Sequence, residues 1–278
     1  MPRQTNLRRR MNPPIFVSTQ GTLPLLISMP HVGRQLPPDL AAQMTPAARA
    51  VPDTDWHIER LYAFAAEMGA STLQAQYSRY VVDLNRPSDG QSLYPGQNTT
   101  GLCPTETFHA EPVYADGVAT PGPEETARRV AEFWQPYHRA LQDEIARLKA
   151  LHGRVLVWEA HSIASVLPHL FDGELPTLNI GTFEGRACAA PVREAVRQAA
   201  AGSPFSFVLD GRFKGGFITR QYGRPDDGVH LVQLELAQCA YMQEVSPFAW
   251  DDARAASLIP TLRAMVAGAL AALPASPA

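Results

Sequence analysis

Two histidines stand where apolar strands are expected to end. His31 follows the run Leu23–Met29 in Pro30-His31-Val32-Gly33, and His161 follows Val155–Glu159 in Trp158-Glu159-Ala160-His161-Ser162. In open α/β sheets, ligand sites form beyond the carboxyl ends of the strands. A lone histidine is most often a hydrogen-bonded structural residue. Two at equivalent strand exits point instead to a metal centre, because imidazole suits zinc. A catalytic zinc takes three protein ligands and leaves one position open. Asp55, in Asp53-Thr54-Asp55-Trp56-His57 at an expected helix start, is the candidate third ligand. Asp53, His57 and Glu159 compete with it, although Glu159 reads better as an outer or structural group. Glu235 lies in Gln233-Leu234-Glu235-Leu236, an otherwise apolar strand. A carboxylate there is costly unless it is paired or used, and beside a metal-bound water it fits a general base.

Basic residues surround these positions in the sequence. Arg79 and the pair Asn85-Arg86 close the segment Tyr77–Arg86, and Arg212, Lys214 and Arg220 lie in GRFKGGFITRQYG. Guanidinium groups bind carboxylates bidentately, so such a cluster suits an acidic or amino-acid ligand.

The segments that must position these groups alternate in pattern. Strands are expected at Leu23–Met29, Ser71–Tyr77, Tyr80–Leu84, Val155–Glu159, Thr177–Thr182, Ser206–Leu209, Gly216–Thr219 and Val229–Leu236. Helices are expected at Asp55–Met68, Glu124–Leu151 (kinked or split at Pro136), Ala190–Ala200 and after Trp250. Residues 85–123, rich in Gly, Pro, Thr and Asn, read as a long functional loop. This rhythm predicts a single-domain α/β fold, a three-layer α/β/α sandwich around a mixed, mostly parallel sheet.

Composition narrows the class. The chain has 278 residues, 45% hydrophobic and 18% charged, enough to hide roughly 75% of the unfolded surface. With 24 basic and 27 acidic residues, its net charge of −3 argues against a nucleic-acid partner. Three cysteines without CxxC spacing argue against a disulfide framework or thiolate zinc site and favour a cytoplasmic location. No run approaches the ~18 apolar residues of a membrane span. Residues 1–20, with the basic start MPRQTNLRRR, are expected to be a leader outside the domain at 21–278.

From about Leu23 to Glu244 the sequence resembles the N-formylglutamate amidohydrolases. The matching stretches are PLLISMPHVG, DTDWHIERLY, YSRYVVDLNRP, GLCPTETF, WEAHSI, HLFDGELPTLNIGTF, GRFKGGFITRQYG and VQLELAQCAYM. That family looks like a distant relative of the zinc carboxypeptidases, which implies a carboxypeptidase-like core and one zinc. The resemblance implies His31 and His161 as ligands, Glu235 as the catalytic glutamate and Asn85-Arg86 as a carboxylate-holding pair. The carboxypeptidases carry a Glu three residues after the first ligand. Arg34 stands there in this chain, so the third ligand comes from elsewhere, and Asp55 is the choice. The implied reaction is hydrolysis of N-formyl-L-glutamate to L-glutamate and formate, in histidine degradation. Arg79 would stabilise the oxyanion, and Arg86 with Arg212, Lys214 or Arg220 would clamp the substrate carboxylates. The alternatives are a zinc amidohydrolase for another N-acyl acidic amino acid, such as N-formylaspartate, and a non-catalytic binder of acidic metabolites.

Overall fold

The computed structural model describes residues 13–275 except 94, 95, 97 and 98. Seven strands form one sheet: β1 (Phe16–Thr19), β2 (Leu25–Met29), β3 (Ser71–Ala75), β4 (Val155–Ile163), β5 (Leu178–Gly181), β6 (Phe207–Leu209) and β7 (Val229–Ala237). Their order is β1-β3-β2-β4-β7-β5-β6. β1–β3 and β5–β7 are antiparallel, and the remaining neighbours are parallel. The central strands β2, β4 and β7 are buried along their whole length, as expected of parallel strands covered on both faces.

Helices cover both faces. The first four are short: α1 (Pro38–Ala41), α2 (Pro46–Arg49), α3 (Ile58–Leu61) and α4 (Phe64–Met68). They are followed by α5 (Pro123–Arg129), α6 (Gln135–His152), α7 (Ala190–Ala201), α8 (Phe217–Tyr222) and α9 (Asp252–Ala271). One core joins Ile27, Leu156, Trp158 and Leu234 to α3, α4, α7 and α9; the other joins Leu26, Val155, Val157 and Leu231 to α6 and its neighbours. The expected three-layer sandwich with a mixed, mostly parallel sheet is therefore the observed fold. Among the described residues, no helix is long and apolar enough to cross a membrane.

Five local expectations are corrected. The helix expected over Asp55–Met68 begins only at Ile58, because His57 takes a left-handed φ of 63° and its Nε2 bonds the Phe248 carbonyl at 2.7 Å, and it is interrupted at Tyr62–Ala63, between α3 and α4. Tyr80–Leu84 is a buried succession of turns rather than a strand. Gly216–Thr219 is not extended, since α8 begins at Phe217. Residues 16–19, placed in the expected leader, form β1 and pair with β3; residues 1–12 of that leader lie outside the described residues. Pro136 does not split its helix. Instead a π turn at Val130–Trp134 joins α5 to α6 just ahead of it, as ladder disruptions near proline do.

Candidate active site

His31 emerges from β2 onto a backbone that only glycine permits. A Cβ on Gly33 would lie 2.2 Å from the Tyr77 carbonyl oxygen, so the chain after β2 can run against the end of β3. The Asp55 N–H donates to the His31 carbonyl at 3.0 Å, which fixes Asp55 beside the histidine. His161 lies within β4, which continues beyond the expected Glu159 to Ile163. Strand alternation puts Glu159 and His161 on one face.

The three groups converge. Asp55 Oδ2 is 3.0 Å from His161 Nδ1 and 3.9 Å from His31 Nδ1. One donor atom from each of these three residues lies within 4.8 Å of the others, and all three residues are buried. The other ring nitrogens are held by carboxylates: His31 Nε2 by Asp83 Oδ1 at 2.8 Å, and His161 Nε2 by Glu159 Oε1 at 2.7 Å. Glu159 is anchored in turn by the Thr219 hydroxyl at 2.6 Å. A carboxylate on the far nitrogen orients a metal-bound histidine and raises its basicity.

Charge in the cluster is unbalanced toward the negative. Asp55, Asp83, Glu159 and Glu235 are buried, with Arg79 as the buried guanidinium among them. Burial and Arg79 lower the pKa of His31. Burial opposes protonation of His161, but hydrogen bonds to Asp55 and Glu159 raise its pKa well above the usual value. Asp83 is held well below the carboxylate range, despite burial, by His31 and Arg79. Among the described residues, Asp83 Oδ2 and Arg79 Nε have no hydrogen-bond partner. Two imidazoles and one carboxylate, backed by further carboxylates, fit a divalent ion by donor chemistry. Arg79 Nη2 meets His31 Nδ1 at 2.5 Å, so an ion there would displace this contact.

Glu235 on β7 borders the same cleft, whose lining includes His31, Arg79, Asn85, Arg86, Arg212 and Glu235. Burial pushes its carboxyl up to about 8, against the opposing influence of His161. Phe108, Ile163, Leu170 and Phe213 supply an apolar wall. Asn85 Nδ2 lies 3.2 Å from His161 Nε2, and Asn85 Oδ1 accepts from the Ile218 N–H at 2.9 Å. Arg86 bonds the Thr100 carbonyl at 3.0 Å and so ties the long loop to the cleft.

Two expected basic residues are not in that lining. Lys214 pairs with the exposed Glu184 at 2.8 Å. Arg220 donates to the carbonyls of Gly215 and Leu93 at 2.8 and 3.1 Å. Of the competing ligands, Asp53 accepts from Tyr80 Oη and the Phe108 N–H at 2.7 and 2.8 Å, His57 turns to Phe248, and Glu159 backs His161. The sequence reading did not single out Asp83 or Thr219. Asp83 stood inside the quoted DLNR motif, but Thr219 carried no signal, because only α8 brings it to Glu159.

The fold and site define an α/β protein whose central strands lead into His31 and carry His161 and Glu235, beside a buried His31–Asp55–His161 group that could hold a metal ion. The sequence matches the N-formylglutamate amidohydrolase family over residues 23–242, and the chain belongs to that family. It is 58% identical over 234 residues to an N-formylglutamate deformylase of Pseudomonas aeruginosa, covering 83% of this chain and 86% of that one. It is 50% identical over 234 residues to one of Pseudomonas putida, covering 84% and 87%. Its fold is similar to the crystal structure of an N-formylglutamate amidohydrolase from Ralstonia eutropha, with TM-score 0.76 and 21% identity over 92% of this chain and 96% of that one. It is also similar to a structure from Agrobacterium tumefaciens, with TM-score 0.70 and 17% identity over 92% and 95%.

Proposed function

We propose that this chain is a metal-dependent deformylase that converts N-formyl-L-glutamate and water to L-glutamate and formate, within a histidine degradation route in the cytoplasm. The observation that carries this reading is the convergence of His31 Nδ1, Asp55 Oδ2 and His161 Nδ1 beside the cleft that His31, His161 and Glu235 line. The names and identities of the two Pseudomonas relatives support the substrate.

His31, Asp55 and His161 would hold one divalent ion, most simply zinc for this donor set. When bound, that ion supplies Lewis acidity to water and to the amide carbonyl. Asp83 and Glu159 keep both imidazoles oriented for ligation. Glu235 takes the proton of the attacking water and returns it to the departing amine. Burial raises its basicity for this task. Arg79, buried beside His31, offers a guanidinium to the oxygen on which charge develops.

Arg86 and Arg212, with Asn85, hold the carboxylates of the glutamate part at the cleft side. Lys214 and Arg220 then act at a distance, through the turn that carries Gly215 and Gly216. The formyl group is small, so selectivity rests on the carboxylates, whose lost partners cost far more than a lost methylene. The test is formate release by the purified chain from N-formyl-L-glutamate and from N-formyl-L-aspartate. A clear preference in kcat/KM for the former is expected; preference for the aspartate compound overturns the substrate assignment.

A further inference from the structure

Gln233 lies two residues before Glu235 on the same face of β7, is 4% exposed, and lines the cleft. Among the described residues its carboxamide has one partner: the Gly216 N–H donates to Oε1 at 2.7 Å. An N–H can be accepted only by the amide oxygen, so this bond fixes which way the carboxamide faces. The NH2 group, with two donors, is turned away from Gly216. Nε2 has no protein partner among the described residues, yet it is not one of the fully occluded unpaired atoms. It faces the free space of the cleft.

The bond to Gly216 is built into the fold. A Cβ on Gly181 would lie 2.6 Å from the Gly215 nitrogen, and a Cβ on Gly216 would lie 2.4 Å from Asn85 Nδ2. Close packing of Gly181, Gly215, Gly216 and Asn85 brings the Gly216 N–H onto Gln233. It also sets Gln233 on the Asn85 side of the cleft. A carboxamide held on one side by the fold and left with free N–H donors facing a cleft is placed to meet a ligand there.

We infer that Gln233 is a further specificity-determining residue, whose Nε2 donates to a carboxylate oxygen of the substrate's amino-acid part. This rests on the reading of the chain as an N-formylglutamate hydrolase. A neutral carboxamide adds a directional donor to carboxylate recognition without adding a further charge to the cleft.

Two substitutions test the assignment. Gln233→Glu keeps an oxygen for the Gly216 N–H but replaces the donor with an acceptor, and Gln233→Leu removes both. Steady-state kinetics with N-formyl-L-glutamate, competitive inhibition by L-glutamate and metal content are measured for each. KM for the substrate and Ki for L-glutamate should rise together by about 10- to 100-fold, with kcat little changed and metal retained. A fall in kcat with Ki at the wild-type value would place the amide on the formyl oxygen and overturn the proposal. Unchanged KM and Ki in Gln233→Glu would overturn it as well, leaving only the bond to Gly216. A wild-type chain that releases no formate contradicts the substrate reading instead, and Gln233 is then judged by L-glutamate binding in calorimetry.

Discussion

His161 and Glu235 are register partners on the adjacent parallel strands β4 and β7. One ligand of the proposed ion and the proposed base are thus set by the hydrogen-bond ladder at the centre of the sheet. Sites built on strands hold their geometry better than sites built on loops. Glu159 and Gln233 are paired in the same ladder two residues earlier. The face therefore carries ligand, orienting carboxylate, base and amide in fixed relative positions.

Glu235→Gln separates the base from the ligands. Glu235 is outside the His31–Asp55–His161 group, so the variant should bind metal as the wild type does. Its kcat should fall by about 10²- to 10⁴-fold, the usual worth of a positioned general base. Formate release and elemental analysis on the same sample check both halves, and near-wild-type turnover contradicts the assignment.

His161→Ala removes a ligand. The variant should lose stoichiometric metal by elemental analysis while keeping its far-ultraviolet circular dichroism. Retention of full metal would show that the ion lies elsewhere.

Asp83→Asn tests the orienting carboxylate without touching a ligand. Asp83 Oδ1 holds His31 Nε2 and also accepts the Asn85 N–H at 2.8 Å. Metal affinity should fall about 10- to 100-fold, as read by competition with a chromophoric chelator. Unchanged affinity would mean that His31 needs no such support.

His138 makes stability depend on pH. Its Nε2 donates to the Leu84 carbonyl at 2.9 Å, its Nδ1 accepts from the Tyr222 hydroxyl at 2.8 Å, and burial pushes its pKa down to about 4. The folded-state value is below the unfolded one, so the unfolded chain takes up the proton first as pH falls. The contribution is complete above about 6.5 and is lost as pH falls through the folded value near 4. The loss is of order 3 kcal/mol. Gln at 138 can still donate to Leu84 but does not titrate. Urea unfolding of wild type and His138→Gln should therefore diverge between pH 6.5 and 4, with the wild type losing more; parallel curves contradict the buried neutral histidine.

How much of this was legible in the sequence depended on whether the signal was local. The exits of β2 and β4 announced themselves as apolar runs ending in His31 and near His161, and Glu235 as a charge inside an apolar strand. Tyr80–Leu84 misled because its apolar residues are buried by packing rather than by strand pairing. Arg129 bonds the carbonyls of Tyr80 and Val81, and His138 that of Leu84, so side chains of α5 and α6 satisfy backbone that a sheet would otherwise satisfy. Gly216–Thr219 looked extended because Phe, Ile and Thr favour strands. There Asn85 Oδ1 accepts the Ile218 N–H and directs a helix instead. Lys214 and Arg220 sat near the motif residues in sequence, but their partners, Glu184 and the Gly215 and Leu93 carbonyls, were not visible until the chain was folded.

The central claim is that His31, Asp55 and His161 hold an ion required for hydrolysis of N-formyl-L-glutamate. Formate release is measured from the purified chain as isolated, after chelation and dialysis, and after adding back one equivalent of zinc. The account predicts formate release as isolated, its loss on chelation and its recovery with zinc. Undiminished release from protein shown by elemental analysis to be metal-free would contradict it.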